Sequence, residues 1–208
     1  MSAVTTMAHQ APPARPAGAL AALFYDLRYR RRRFRQLLGW AFVFTVTLCG
    51  SPWHPGLFWS GVAVASLGMA MRLWASGFVQ KNQVLATNGP YARVRHPLYT
   101  GNVLICIGFA LASGLWWAWP VGLVFVLLFY PTSIAYEDRK LHRLFPEAWE
   151  PWASVTPAIV PALRRTAAAS GERWSWSFRQ SLFQNGEPIY VLVMAGCLFW
   201  LWRGLAGG

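Results

Sequence analysis

The sequence predicts an all-helical, polytopic transmembrane protein with about five spans, from its composition, its charge-free runs and the placement of its basic residues. Of the 208 residues, 55% are hydrophobic and 12% are charged, whereas about 25% of the residues in a soluble domain are charged. Residues 36–71 and 101–136 contain no Asp, Glu, Lys or Arg. A bilayer core needs about 20 residues per helix, so each run suits two short spans joined by a tight turn. The apolar run 188–202 adds a fifth span.

The basic residues predict the orientation of these spans. The net charge is +12, and eighteen of the nineteen Lys and Arg lie in residues 1–35, 72–100 and 137–187. Five spans put these three segments on one side of the membrane, which the positive-inside rule identifies as the cytoplasm. We therefore expect a bacterial inner-membrane protein with a cytoplasmic N-terminus, contacts to membrane lipids, and no nucleic-acid partner. The spacing of the cysteines gives no metal site.

The first half of the chain contains a tail and two spans. Residues 1–19 are rich in Ala and Pro and predict a disordered tail, and residues 20–35 favour an amphipathic helix at the membrane surface. The first span covers about residues 37–50, and the second about 57–79. Arg72 lies near the inner end of the second span, where its side chain either snorkels to the surface or points into a polar cavity.

The second half predicts a helical hairpin and a final span. The third span covers about residues 102–119 with a turn around Ser113 and Gly114, and the fourth about 120–136. A cytoplasmic segment begins at Glu137 and Asp138, continues with one apolar helical face, and is then broken into short turns by four prolines. The apolar face consists of Leu141, Leu144, Phe145 and Trp149. The four prolines are Pro146, Pro151, Pro157 and Pro161. The domain organisation is then a tail and basic segment (1–35), a core (36–163), a linker (164–187) and a C-terminal helix (188–208).

Two polar clusters flank this hairpin. Residues 91–99 precede the third span, and residues 137–152 follow the fourth. Because the two spans are antiparallel neighbours, both clusters emerge at the same membrane level. Together they supply cationic, anionic, imidazole and aromatic groups beside a lipid phase, a combination suited to holding a polar cofactor next to an apolar substrate.

The sequence here resembles the isoprenylcysteine carboxyl methyltransferases and, more broadly, membrane methyltransferases that include the phospholipid methyltransferases. The resemblance lies in Gly89-Pro90-Tyr91, in Arg95-His96-Pro97-Leu98-Tyr99-Thr100-Gly101, and in Glu137-Asp138 followed by Leu141, Phe145, Trp149, Trp152 and Pro157. It implies an enzyme that uses S-adenosylmethionine, held in a cytoplasmic pocket made from the two clusters. It also implies a lipid-like or apolar small-molecule substrate that enters sideways from the bilayer.

The resemblance also implies the site residues. The candidate catalytic residues are His96, Arg95 and Glu137, and the candidate cofactor-binding residues are Tyr91, Arg95, His96, Pro97, Tyr99, Gly101, Glu137, Asp138 and Trp149. Arginine suits the cofactor carboxylate, the acidic pair suits its ribose or amine, and aromatic rings suit its adenine or sulfonium. Pro97 would begin a helix, and Gly101 would allow close backbone approach.

The chemistry leaves the methyl acceptor open. Alignment of the reactants and exclusion of water contribute most to methyl transfer. A carboxylate acceptor needs no base, whereas an ammonium acceptor must lose a proton, for which His96 or Glu137 is available. Relatives that act on prenylated cysteine carry an arginine shortly before the acidic pair, where this chain has Ser133-Ile134-Ala135-Tyr136. A carboxylate, an amine and a thiol are all possible acceptors. The alternatives to a methyltransferase are a membrane reductase of the sterol-reductase type that uses NADPH, and a non-catalytic membrane scaffold.

Overall fold

The described part of the chain is a bundle of α-helices. The structure is a computed structural model that describes residues 14–26, 32–80, 82–164 and 175–207. Within these ranges the helices are α1 (Ala19–Tyr25), α2 (Arg32–Cys49), α3 (Pro55–Ser76), α4 (Pro97–Ser113), α5 (Ala118–Leu144), α6 (Pro146–Val155) and α7 (Glu187–Gly207). The prediction of an all-helical polytopic membrane protein is confirmed.

Five of these helices correspond to the five predicted spans. Helices α3, α5 and α7 have 22, 27 and 21 residues and are long and apolar enough to cross a membrane. The apolar part of α2, Gln36–Cys49, and the 17-residue α4 are shorter. The outward surfaces of α2, α3, α5 and α7 carry many large apolar side chains, as expected of helices that face lipid.

Helix α4 lies at the centre of the bundle, where it contacts α2, α3, α5 and α7. Its closest neighbour is α3, because small residues on both helices let the backbones approach. A Cβ built on Gly68 of α3 would lie 2.6 Å from the Gly101 carbonyl oxygen, and one built on Gly108 of α4 would lie 2.6 Å from the Gly61 carbonyl oxygen. The two helices therefore form the rigid frame that positions Arg72 near the C-terminal end of α3 and the Arg-His pair at the N-terminal end of α4.

The predicted helical hairpin is present, but its second helix ends later in the chain than predicted. Gly114 adopts φ 71° at the C-terminus of α4 and turns the chain into α5. Helix α5 begins at Ala118 and does not stop at the acidic pair; it continues two turns further to Leu144. The residues after Tyr136 are good helix formers and contain no breaker before Pro146, so the helix that crosses the membrane extends beyond it.

The segment after α5 also differs from the prediction. Residues 146–155 form helix α6 rather than short turns. Pro146 begins this helix, where its missing N–H needs no partner, and Pro151 lies inside it. Residues 157–161 are non-helical, as expected from Pro157 and Pro161. The chain breaks at Phe145 between α5 and α6, so the four predicted apolar residues do not share one buried helical face. Leu144 is exposed, whereas Trp149 is buried.

The predicted tail, surface helix and linker are only partly within the described residues. Residues 1–13, most of the predicted tail, lie outside the described residues, as do 27–31 and 165–174 of the basic segment and the linker. Helix α1 exposes Leu20, Leu23 and Phe24, as expected of a helix at a membrane surface. Residues 180–184 form a short π-helix that packs on the end of α3, so this part of the predicted irregular linker is folded.

Candidate active site

The first half of the candidate site is a turn followed by a short extended segment. The chain makes one 3-10 turn, Gly89–Ala92, which begins with Gly89 at φ 60°. A side chain at Gly89 would also meet the ring of Phe78. The backbone N–H of Arg95 then donates to the carbonyl of Pro157 at 2.8 Å, and that of His96 to Ala158 at 3.1 Å. The segment after α6 thus holds the Arg-His pair in place until Pro97 begins α4.

Arg95, His96 and Asp138 form a buried charge cluster. Asp138 has no exposed surface, and Arg95 and His96 are 3% and 5% exposed. Asp138 Oδ1 lies 2.9 Å from His96 Nε2, and Asp138 Oδ2 lies 3.3 Å from Arg95 Nη2. Arg95 Nη1 also donates to the carbonyl of Ala153 at 3.0 Å. The predicted meeting of the two clusters therefore occurs through Asp138.

A second, aromatic layer lies beside this cluster. Trp152 Nε1 donates to the carbonyl of Tyr91 at 3.1 Å, so α6 is tied directly to the 3-10 turn. Burial raises the pKa of Tyr91 well above its usual value, and the negative charges of Glu187 and Glu137 raise it further. The Tyr91 phenol therefore stays protonated at neutral pH. Trp149 packs in the same cluster and is 2% exposed.

A cavity of about 540 Å³ runs alongside these groups, a size in the range of small-molecule sites. Six of the predicted site residues line it: Tyr91, Arg95, His96, Pro97, Tyr99 and Glu137. Three others do not. Asp138 lies behind Arg95 and His96, Trp149 packs beside Tyr91, and Gly101 lies at the α3–α4 crossing, where a Cβ would come 2.6 Å from Arg72 Cγ.

Two buried polar atoms of the charge cluster make no hydrogen bond among the described residues: Asp138 Oδ2, which still pairs with Arg95 Nη2 at 3.3 Å, and Arg95 Nε. The Nε–H of Arg95 makes no hydrogen bond within the described residues, although Arg95 lines the cavity. A buried donor without an acceptor costs about 1–3 kcal/mol. This cost would be relieved if a ligand in the cavity brought an acceptor oxygen to Arg95.

A polar network around Arg72 also lines the cavity, which is one of the two positions that the sequence allowed for Arg72, but its partners were not predicted. Arg72 donates to both carboxylate oxygens of Glu187, at 2.9 and 2.7 Å, and also to the side-chain oxygen of Asn102. The ring of Tyr190 lies 4.2 Å from the Arg72 guanidinium carbon. All four residues line the cavity. The available signal was a glutamate directly before the last apolar run, which has no counterpart at the other spans.

Much of the remaining lining is apolar or aromatic, and the polar side chains among it are Gln36, Gln80, Asn82, Ser133, Lys140 and Asn185. Trp40 of α2, Phe125 and Phe129 of α5 and Met194 of α7 come from the membrane-crossing helices. The cavity therefore joins the polar groups of the Arg-His-Pro motif to apolar side chains within the bundle. Among the described residues, no group of three or more His, Cys, Asp or Glu is placed to hold a metal ion.

Comparison with known proteins gives one family and two relatives. A family model described as phospholipid methyltransferase matches residues 54–148. The chain is 37% identical over 195 residues to the cobalt-zinc-cadmium resistance protein CzcN of Cupriavidus metallidurans, an alignment that covers 88% of this chain and 87% of that protein. It is 39% identical over 106 residues to the nickel-cobalt-cadmium resistance protein NccN of Alcaligenes xylosoxydans xylosoxydans, covering 50% of this chain and 47% of that protein. No solved structure shows significant similarity.

Proposed function

Because the chain belongs to the membrane methyltransferase family of the isoprenylcysteine carboxyl and phospholipid methyltransferases, we propose that it uses S-adenosylmethionine to methylate a lipid-like or membrane-associated small molecule. The observation that carries this proposal is the cavity. It joins the Arg-His-Pro motif and Glu137 to apolar side chains of the spans. Such a cavity suits a polar methyl donor and an apolar acceptor bound side by side.

The residues present fit the cofactor. The unpartnered Nε–H of Arg95 is available to a carboxylate, and Glu137 lines the same wall and suits a ribose or an amine. Tyr91, as a neutral phenol, and Tyr99 offer ring faces to adenine or to a sulfonium. S-adenosylmethionine would supply an activated methyl group for in-line attack by the acceptor.

The chain's own contribution is positioning, exclusion of water and proton handling. Asp138 Oδ1 accepts from Nε2 of His96 at 2.9 Å, so Nδ1 is the ring nitrogen left to accept a proton from a substrate. His96 therefore suits the role of base for an amine or thiol acceptor, and a carboxylate acceptor would not need it. Asp138, which has no exposed surface, is a positioning residue for both His96 and Arg95.

Ligand-dependent thermal stability tests this proposal. S-adenosylhomocysteine should raise the melting temperature of the detergent-solubilised protein, because a ligand that binds the folded state at 100 times its Kd stabilises it by about 2.7 kcal/mol. Arg95→Lys should weaken this effect, since lysine cannot present the same fork of donors. Arg143→Gln, an exposed arginine on α5, is the matched control. A rise in melting temperature with NADPH, and none with S-adenosylmethionine or S-adenosylhomocysteine, would instead support the reductase alternative.

The relatives suggest the physiological role. Both are named as heavy-metal resistance proteins, and we propose that methylation by this chain supports growth in the presence of cobalt, zinc or cadmium. A deletion strain should grow less well with these cations, and the wild-type gene should restore growth while the Arg95→Lys variant should not. Equal restoration of growth by both genes would show that resistance does not depend on Arg95 in the cavity.

A further inference from the structure

The family model ends at residue 148, yet the wall of the cavity is completed by residues beyond it. Residues 175–186 cross the end of α3, and α7 begins directly afterwards. Side chains of this segment bind backbone carbonyls at and just after the end of α3: Trp176 donates to Leu73 and Asn185 to Ser76 in its last turn, and Gln180 donates to Val79, three residues after Ser76. Because the last carbonyls of a helix have no partner within it, these bonds fix the segment in one position.

A buried hydroxyl pair strengthens this docking. Ser181 has no exposed surface, and its Oγ lies 2.6 Å from the Oγ of Ser76. Gly77 leaves room for the indole of Trp176, which a Cβ at that position would overlap. The start of α7 is therefore held against α3, and Glu187 enters the cavity wall opposite Arg72.

Glu187 determines where the guanidinium of Arg72 lies. Arg72 lies four residues before Ser76, the end of α3, close enough to the surface for an unpaired arginine to snorkel outward. Instead, Glu187 binds one edge of its guanidinium, Tyr190 covers a face, and Asn102 accepts from Nη1. A guanidinium has five N–H groups, and these contacts use three, which leaves two for a ligand in the cavity.

We propose that Arg72, positioned by Glu187 of α7, binds the oxygen-bearing head group of the methyl acceptor; this inference rests on the proposed methyltransferase function. A guanidinium offers donors only, so its complement is an acceptor oxygen of a carboxylate or a phosphate. The apolar lining from α2, α5 and α7 then accommodates the rest of an amphiphilic acceptor. Arg72 and Arg95 thus act on different molecules, one on the acceptor and the other on the cofactor.

Binding of single-chain probes to the full-length protein in a neutral maltoside detergent tests this proposal. Laurate and dodecyl phosphate present the two oxygen-bearing head groups, and dodecylamine has the same chain length with a donor head group. We expect the wild type to bind at least one of the first two more tightly than dodecylamine. Glu187→Gln and Arg72→Gln should each weaken that binding about tenfold, the effect of about one charge-assisted hydrogen bond.

A double variant separates this role from a structural one. Replacement of a buried ion pair by apolar residues of similar volume is often neutral for stability, so Arg72→Met/Glu187→Met should fold and bind S-adenosylhomocysteine. It should lose the preference for laurate or dodecyl phosphate. Glu150→Gln, at the exposed pair with His142, controls for removal of a carboxylate elsewhere and should bind all probes as the wild type does.

The outcomes distinguish the two proposals. If the double-methionine variant retains the wild-type preference, or the wild type prefers dodecylamine, the head-group assignment is wrong, whatever S-adenosylhomocysteine does. If the wild type binds the oxyanion probes through Arg72 but binds no adenosyl ligand, the head-group site stands and the methyltransferase proposal is wrong.

Discussion

Asp138 contributes to the site through other residues. It has no exposed surface and does not line the cavity, yet it contacts both Arg95 and His96. Its neighbour Glu137 lines the cavity. The sequence made both acids candidate cofactor ligands and Glu137 also a candidate catalytic residue. Adjacent residues on a helix point about 100° apart, so only packing decides which one faces the ligand. The structure thus divides the acidic pair into a cavity group and a supporting group.

Replacement of Asp138 by asparagine should therefore impair the protein in two ways. Removal of one partner of a buried charge pair typically costs about 3–5 kcal/mol, so the melting temperature should fall. Asparagine presents both a donor and an acceptor to Nε2 of His96, so it would no longer fix one tautomer, and the proposed methyl transfer should fall further than the folded fraction does. Thermal unfolding and turnover per folded molecule measure the two effects. Turnover at the wild-type level per folded molecule would show that Asp138 has a structural role only.

The helices α3 and α4 form the framework of the site. Gly61 and Gly68 of α3 face Gly101 and Gly108 of α4 at a distance where no side chain fits. This contact places Arg72 above Gly101, and the same α4 begins with Pro97, directly after Arg95 and His96. Hydrophobic runs predicted that both helices exist, but they do not determine which faces meet, because all faces of a spanning helix are apolar.

Gly108→Ala should destabilise this framework. The added Cβ would lie 2.5 Å from the Ala65 backbone nitrogen and 2.6 Å from the Gly61 carbonyl oxygen, so the helices must separate. Overpacking of this kind costs about 1–3 kcal/mol. Gly196→Ala in α7 is the matched control, because nothing lies within 4 Å of its added Cβ, and alanine favours a helix by up to about 1 kcal/mol. Melting temperatures of the two variants in detergent should therefore move in opposite directions, and a fall of equal size in both would contradict the close α3–α4 contact.

At the scale of the whole molecule, the topology places both halves of the site on one side of the bilayer. In the described part of the chain, three apolar helices of spanning length and two shorter ones follow the N-terminal basic segment. The motif before α4 and the acidic residues near the end of α5 lie on the same side because α4 and α5 form a hairpin. With eighteen of nineteen basic residues in the segments on that side, we propose that it is the cytoplasm, where a soluble methyl donor is available.

Reporter fusions test this orientation. Alkaline phosphatase, which is active only outside the cytoplasm, should be active when fused after the C-terminal residue and inactive when fused after residue 163. Green fluorescent protein at the same positions should give the opposite pattern, with fluorescence only after residue 163. Phosphatase activity at residue 163 would place the cavity motifs outside the cytoplasm and remove the supply of methyl donor.

The sequence by itself determined the number of apolar helices, the hairpin and the motif by which the family is recognised. These features are encoded locally, in runs of apolar residues and in a short motif of fixed spacing. Only the tertiary structure decided that Asp138 supports rather than lines the cavity, and that Glu187 pairs with Arg72 across 115 positions of sequence. The physical reason is that such pairings depend on how helix faces dock, through the small residues of α3 and α4 and the bonds of residues 175–186. No periodicity of apolar residues records that docking.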